Sequence, residues 1–218
     1  MYTIAIDGPS GSGKTTTAKA LARKLGWGYL DTGAMYRAVA VGCMEAGIYD
    51  PEGIAEYCRT MEVEISTDPD HPAIIVAGHD ISEAIRAPET SAWVSKVSTN
   101  PECRINLVQR QKDIIASSNM VAEGRDITTV VAADAEVRIL LTADAEARMS
   151  RRGAELGGKV DEAGLRDQVL RRDRDDSTLV NFTVAADGVV TINSTLMTLD
   201  EVVDQILSLA EHAGIPVQ

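Results

Sequence analysis

An α/β fold built on a five-stranded parallel sheet flanked by helices is what this sequence predicts, and three observations predict it. The chain opens on an apolar strand-like run, a glycine-rich turn and an amphipathic helix. A strand-and-helix alternation resumes after an interruption near the middle of the chain. Five apolar runs of strand length are joined by helical stretches long enough to cross over, the signature of a parallel sheet covered on both faces. A length of 218 residues suits one main core, because cores divide only beyond roughly 250 residues.

Residues 2–7 are short, apolar and β-branched, and the helix at 15–25 carries apolar residues at helical spacing. A second strand at 28–30 leads to a helix that Thr32 caps and that runs through Tyr36 and Val39 to Met44. The pattern then changes. A helix at 51–61 precedes two alternating runs, 63–66 and 74–78, with Asp68, Pro69, Asp70 and Pro72 between them, which reads as a hairpin-bearing insert spanning 50–100. Helices follow at 88–97 and 101–116, then buried strands at 120–123 and 137–142. Helices at 144–152 and 162–173 are joined across Gly153, Gly157 and Gly158, a polar joint on which a lid near 148–165 could swing. A strand at 189–193 and an amphipathic helix at 199–213 complete a core made of 1–49 and 101–218.

Composition narrows the function. Hydrophobic residues make up 44% and charged residues 25%, ordinary for a soluble globule, and no window has the roughly 18 apolar residues of a membrane span. The N-terminal run reads as a buried strand rather than a secretory leader. Cys43, Cys58 and Cys103 lack the spacing of a zinc site or a disulfide framework, so buried thiols in a reducing cytoplasm are expected. A formal charge of −12 argues against a nucleic-acid polymer as partner. Positive charge is instead local: Arg148, Arg151, Arg152, Arg166, Arg171, Arg172 and Arg174 lie in one stretch, interleaved with aspartates that would also suit a solvated helix with ion pairs.

Gly8-Pro9-Ser10-Gly11-Ser12-Gly13-Lys14-Thr15 satisfies G-x-x-x-x-G-K-[ST] between a predicted strand and a predicted helix. Such a loop turns backbone N–H groups onto phosphate oxygens, with the dipole of the helix that Thr15 and Thr16 begin behind them. Lys14 reaches the outer phosphates and Thr15 offers a hydroxyl to Mg²⁺. ATP binding is the expectation. No guanine-reading N-K-x-D follows, which excludes a switch GTPase of the usual kind, and the acidic strand end an ATPase would use for its metal is represented only by Glu123. A small-molecule kinase needs instead arginines that hold an anionic acceptor in line with the donor phosphates. Arg37, after the second strand, and Arg125, just beyond the 120–123 strand, both face the mouth of the sheet in this reading.

Three further segments carry a family resemblance. Asp31-Thr32-Gly33-Ala34-Met35-Tyr36-Arg37 resembles the D-[ST]-G-A-x-Y-R of bacterial cytidylate kinases. Gly124-Arg125-Asp126 with Thr129-Val130-Val131 resembles their G-R-D-x-G-T-V-V. Arg172-Asp173 with Asp176-Ser177 resembles their R-D-x-x-D-S. With the opening I-D-G-P-S-G-x-G-K, the similarity extends over nearly the whole chain. The resemblance implies a P-loop kinase that passes phosphate from ATP to CMP or dCMP with Mg²⁺. It implies that Arg37 and Arg125 hold the acceptor phosphate, that Ser95, Arg104 and Asp126 read the cytosine, and that Thr32, Tyr36, Arg172 and Asp176 lie along the rest of the nucleotide. Arg148, Arg151 and Arg152 would sit on the lid over ATP. Nothing in the sequence demands an oligomer, so a monomer is expected.

The chain departs from the family pattern in three places. Glu123 stands where the family usually has Asp, and Thr128 where it has Gly. After Ser177 the continuation Thr178-Leu179-Val180-Asn181-Phe182 lacks the family's D-S-x-R arginine; either Arg174 or a lid arginine substitutes for it, or turnover is weaker than is usual for the family. Kinases for AMP, UMP, shikimate or a sugar acid, and a nucleotide-dependent switch, are the alternatives left open.

Overall fold

The computed structural model describes residues 1–155 and 184–217. Five strands, β1 (Thr3–Asp7), β2 (Gly28–Asp31), β6 (Met120–Gly124), β7 (Val137–Thr142) and β8 (Val190–Asn193), form a parallel sheet in the order β2-β6-β1-β7-β8. Alternation of side chains along each strand separates two cores. Ile4, Ile6 and Val121 face one way, onto Ala18 and Leu21 of α1 (Lys14–Leu25) and Val203 and Ile206 of α8 (Leu199–His212). Ala5, Met120 and Ala122 face the other way, onto α2 (Thr32–Glu45), α3 (Pro51–Thr60) and α6 (Pro101–Ile115). The chain leaves β1 toward β2 on one side and later reaches β7 and β8 on the other. This reversal opens a crevice at the carboxyl ends of β1 and its neighbours.

The insert is a three-stranded antiparallel sheet, β3 (Val63–Ile65), β4 (Ile74–Val76) and β5 (His79–Asp80), seated on α2 through Ile74, Ala34, Ala38 and Val41. The sequence reading anticipated the first two strands. The third is only two residues long and is turned back through Ala77 and Gly78, both at positive φ, the geometry of a tight hairpin turn.

Two local expectations need correction. Thr32 does not cap α2. Asp31 does, accepting from the Ala34 amide at 3.0 Å, while Thr32 is already helical and donates its hydroxyl to the Glu123 carbonyl at 2.8 Å. The single helix expected at 88–97 is two pieces, α4 (Pro88–Trp93) and α5 (Ser95–Ser98), parted at Val94. At Val94 the turn tightens, the Val97 amide donating to the Val94 carbonyl three residues back at 3.0 Å, and a three-residue turn of this kind interrupts the α-helical ladder. α7 (Ala145–Glu155) covers the start of the expected lid. The rest of that lid, with the helix at 162–173, lies outside the described residues.

Candidate active site

The phosphate-binding loop joins β1 to α1, and α7 packs directly on it. Arg148 donates to the Ser10 carbonyl at 3.0 Å and Arg151 to the Ser12 carbonyl at 3.4 Å. A Cβ on Gly11 would collide with the backbone oxygen of Arg148, so only glycine fits beneath this helix. Arg151 also binds Ser194, at 3.0 Å to Oγ and 2.7 Å to the carbonyl, while Ser194 Oγ lies within donating distance of the carbonyls of Ser12 and Thr142. Lys14 reaches back over the loop and donates to the Pro9 carbonyl at 2.9 Å. Thr16 is exposed on the first turn of α1.

Behind the loop, Thr15 Oγ1 donates to Glu123 Oε1 at 2.5 Å and the Tyr29 hydroxyl donates to the same oxygen at 3.0 Å. Burial, and then the nearby Asp31 carboxylate, push the Glu123 carboxyl up, against the opposing pull of Lys14 and the two hydroxyls. Tyr29 is pushed up by the same burial and the charges of Glu123 and Asp31, and so stays a phenol that can donate.

Arg37 of α2 is buried within the field of Asp31 and Glu123, at the carboxyl ends of β2 and β6. It is 9% exposed, and its Nε has no hydrogen-bond partner among the described residues. Burial lowers its pKa, and the surrounding charges are mixed: Asp31 and Glu123 favour the cation, while Arg152 and Arg86 oppose it. A guanidinium nevertheless keeps its charge. Arg86 lies 3.6 Å from Asp31 at the rim. Arg125 follows β6, half-buried. The loop that carries it is pinned by Asp7, which accepts from the amides of Ile127 and Thr128 at 2.9 and 2.8 Å and from the Thr128 hydroxyl at 2.6 Å. Thr128, a departure from the family pattern, thus supplies a bond that glycine could not. Neither Asp7 nor Ser194 was singled out in the sequence, because each gains its meaning only from partners far along the chain.

Arg104 of α6 binds Asp126 at 2.5 Å, with the side chains 21% and 6% exposed. Its Nη1 reaches the Ser98 carbonyl at 3.5 Å, which ties α5 and half-buried Ser95 to the same pair. The Tyr36 hydroxyl is buried nearby, within the field of both Asp126 and Arg104. The structure therefore gathers Thr32, Tyr36, Arg37, Arg104, Arg125 and Asp126 around the carboxyl ends of β2 and β6, and Arg148 and Arg151 on the phosphate-binding loop. Arg172, Asp176 and Arg174 lie outside the described residues. A cavity of about 170 Å³ opens beside these groups, lined by Thr15, Lys19, Tyr29, Asp31 and Arg86 and roofed by the insert sheet.

Comparison with known proteins places the chain in a family. The family model for cytidylate kinase matches residues 4–212. A cytidylate kinase of Cutibacterium acnes is 46% identical over 210 residues, 94% of each chain. One of Streptomyces avermitilis is 42% identical over 214 residues, 96% of this chain and 92% of its own. Among solved structures, a gluconokinase from Sinorhizobium meliloti superposes with a TM-score of 0.53 over 98% of this chain and 94% of its own, at 13% identity, a likeness of fold alone.

Proposed function

This chain belongs to the cytidylate kinase family, and from that premise we propose that it transfers the γ-phosphoryl group of ATP to CMP or dCMP, giving CDP or dCDP. One observation carries the acceptor assignment: a buried carboxylate and a guanidinium, Asp126 and Arg104, joined at 2.5 Å beside the arginines of the crevice. A carboxylate accepts from the exocyclic amine of cytosine and would meet the carbonyl of uracil acceptor to acceptor. Arg104 holds that carboxylate and donates to the base, with Ser95 alongside. Tyr36 and Thr32 lie along the nucleotide, and Arg37 and Arg125 hold its phosphate. The Nε of buried Arg37, without a partner among the described residues, supports this, since a phosphate oxygen would complete its bonding.

On the donor side, Gly8 to Thr16 cradle the ATP phosphates, Lys14 spans the outer ones, and Arg148, Arg151 and Arg152 close over them. The attacking oxygen belongs to an already ionised phosphate, so no general base is required; positioning and charge compensation carry the rate. The hydroxyl of Thr15 directs its hydrogen bond to Glu123 and so leaves its oxygen lone pairs for a hard cation, a donor set that suits Mg²⁺. When bound, Mg²⁺ neutralises charge on the transferring phosphoryl group. No described helix is long and apolar enough to cross a membrane, and the three free, buried cysteines suit the cytoplasm.

A coupled assay of ADP release tests the reading with CMP, dCMP, UMP, AMP, shikimate and gluconate as acceptors. Release with CMP and dCMP far above the rest is expected. Preference for another acceptor, or ADP release that needs none, would overturn it.

A further inference from the structure

The buried stripe of α6 runs Cys103, Leu107, Gln111 and Ile115, spaced by four. Three of these are apolar, and the fourth is an amide. Gln111 is 0% exposed, and among the described residues neither its Nε2 nor its Oε1 has a hydrogen-bond partner of ordinary geometry. Across the interface, the Tyr36 hydroxyl of α2 is buried and equally without such a partner among the described residues. The two groups are neighbours that do not close a bond of ordinary geometry, and Asp126 and Arg104 act on the same hydroxyl. Arg104 precedes Gln111 by two helical turns and so shares its face of the helix. The Arg104–Asp126 pair and the Gln111–Tyr36 pair therefore form successive tiers of one wall. Buried polar groups without partners are costly and few in native proteins, and each calls for a reason.

We infer that Gln111 is a positioning residue for the pyrimidine nucleotide, acting through Tyr36: their hydrogen bond closes when the acceptor seats the tyrosine ring, so that binding relieves two unsatisfied groups at once. The inference rests on the acceptor reading above. A bond formed only in the complex strengthens acceptor binding and does nothing for the free protein. Its removal therefore raises KM for the acceptor while leaving the free fold as stable as before, or more so, because the orphaned amide is gone. Gln111 acts on the ring of Tyr36 and not on the base edge, so CMP and UMP suffer alike.

The test uses Gln111→Met, which keeps the length and volume and removes the amide, together with Tyr36→Phe, the double variant and wild type. Expected for Gln111→Met is a melting temperature at or above wild type, a KM for CMP raised by at least about fivefold, a KM for ATP within about twofold, and an unchanged CMP-to-UMP ratio. Tyr36→Phe should move in the same direction, and the double variant should be no worse than the worse single one. A KM for CMP within about twofold of wild type would overturn the inference. So would fully additive losses, or a lowered melting temperature, which would mean that the amide is already bonded in the free protein, for example to a buried water. If wild type itself fails to use CMP, the acceptor reading falls and takes this inference with it. If wild type uses CMP and Gln111→Met matches it, only the inference falls.

Discussion

Asp126 offers one carboxylate oxygen to Arg104 and is almost wholly buried, which makes its replacement informative only if the pair is not left broken. Removing one member of a buried pair strands the other charge, at a cost of roughly 3–5 kcal/mol. Asp126→Asn avoids much of this, since its oxygen still accepts from Arg104 while its amide nitrogen now presents a donor toward the base. Cytosine, with an amine at that edge, then meets donor against donor, and uracil gains a partner. The ratio of kcat/KM for CMP to that for UMP should fall by at least about tenfold, in a variant whose melting curve stays close to wild type. An unchanged ratio would leave Asp126 the lesser task of steadying Arg104.

At the scale of elements, the junction around Ser194 joins the phosphate-binding loop, the ends of β7 and β8, and α7 through one hydroxyl and one carbonyl. Ser194→Ala leaves Arg151 with a weaker hold and removes the hydroxyl from between two carbonyls that keep other donors, Arg151 on Ser12 and the Ser194 amide on Thr142, worth about 0.5–1.5 kcal/mol of stability. Because the slack appears between α7 and the loop, KM for ATP should rise several-fold while KM for CMP stays within about twofold. Unchanged melting and an unchanged KM for ATP would remove Ser194 from the donor site. The sequence made the loop, all five core strands and most helices legible, because each is written in local periodicity and turn chemistry. Ser194 was not legible, since its partner Ser12 lies 182 positions away. Asp7 escaped notice for the same reason, and its contacts with Ile127 and Thr128 explain a threonine that looked like a mere departure from pattern. Gln111 did leave a trace, as an amide at a four-residue spacing otherwise held by apolar side chains. That trace was readable only once the face of α6 was known to be buried. The split of α4 from α5 was hidden because Val94 keeps right-handed helical dihedrals, and a tightened turn there leaves no mark on apolar periodicity.

At the scale of the whole molecule, Cys43, Cys58 and Cys103 are fully buried in one apolar cluster that binds α2, α3 and α6 to a face of the main sheet. Burial pushes the Cys43 thiol up to about 11, so near pH 8 only about one molecule in a thousand carries its thiolate, even before access is considered. Pulse alkylation across a denaturant series should therefore find molecules with none or all three thiols labelled, with the labelled fraction following the global unfolding curve. Singly or doubly labelled species below the transition would show that the cluster opens piecemeal. The strand order has a different consequence, for synthesis. β6 lies between β1 and β2, so neither of the first two strands has its neighbour until Gly124 has left the ribosome. At about 5–20 residues per second, the nascent chain spends roughly 5–20 s with its N-terminal strands made and unpaired. The cluster of α2, α3 and α6 completes only as that wait ends, and a chain cut short before β6 carries the whole glycine-rich loop with no sheet to hold it open.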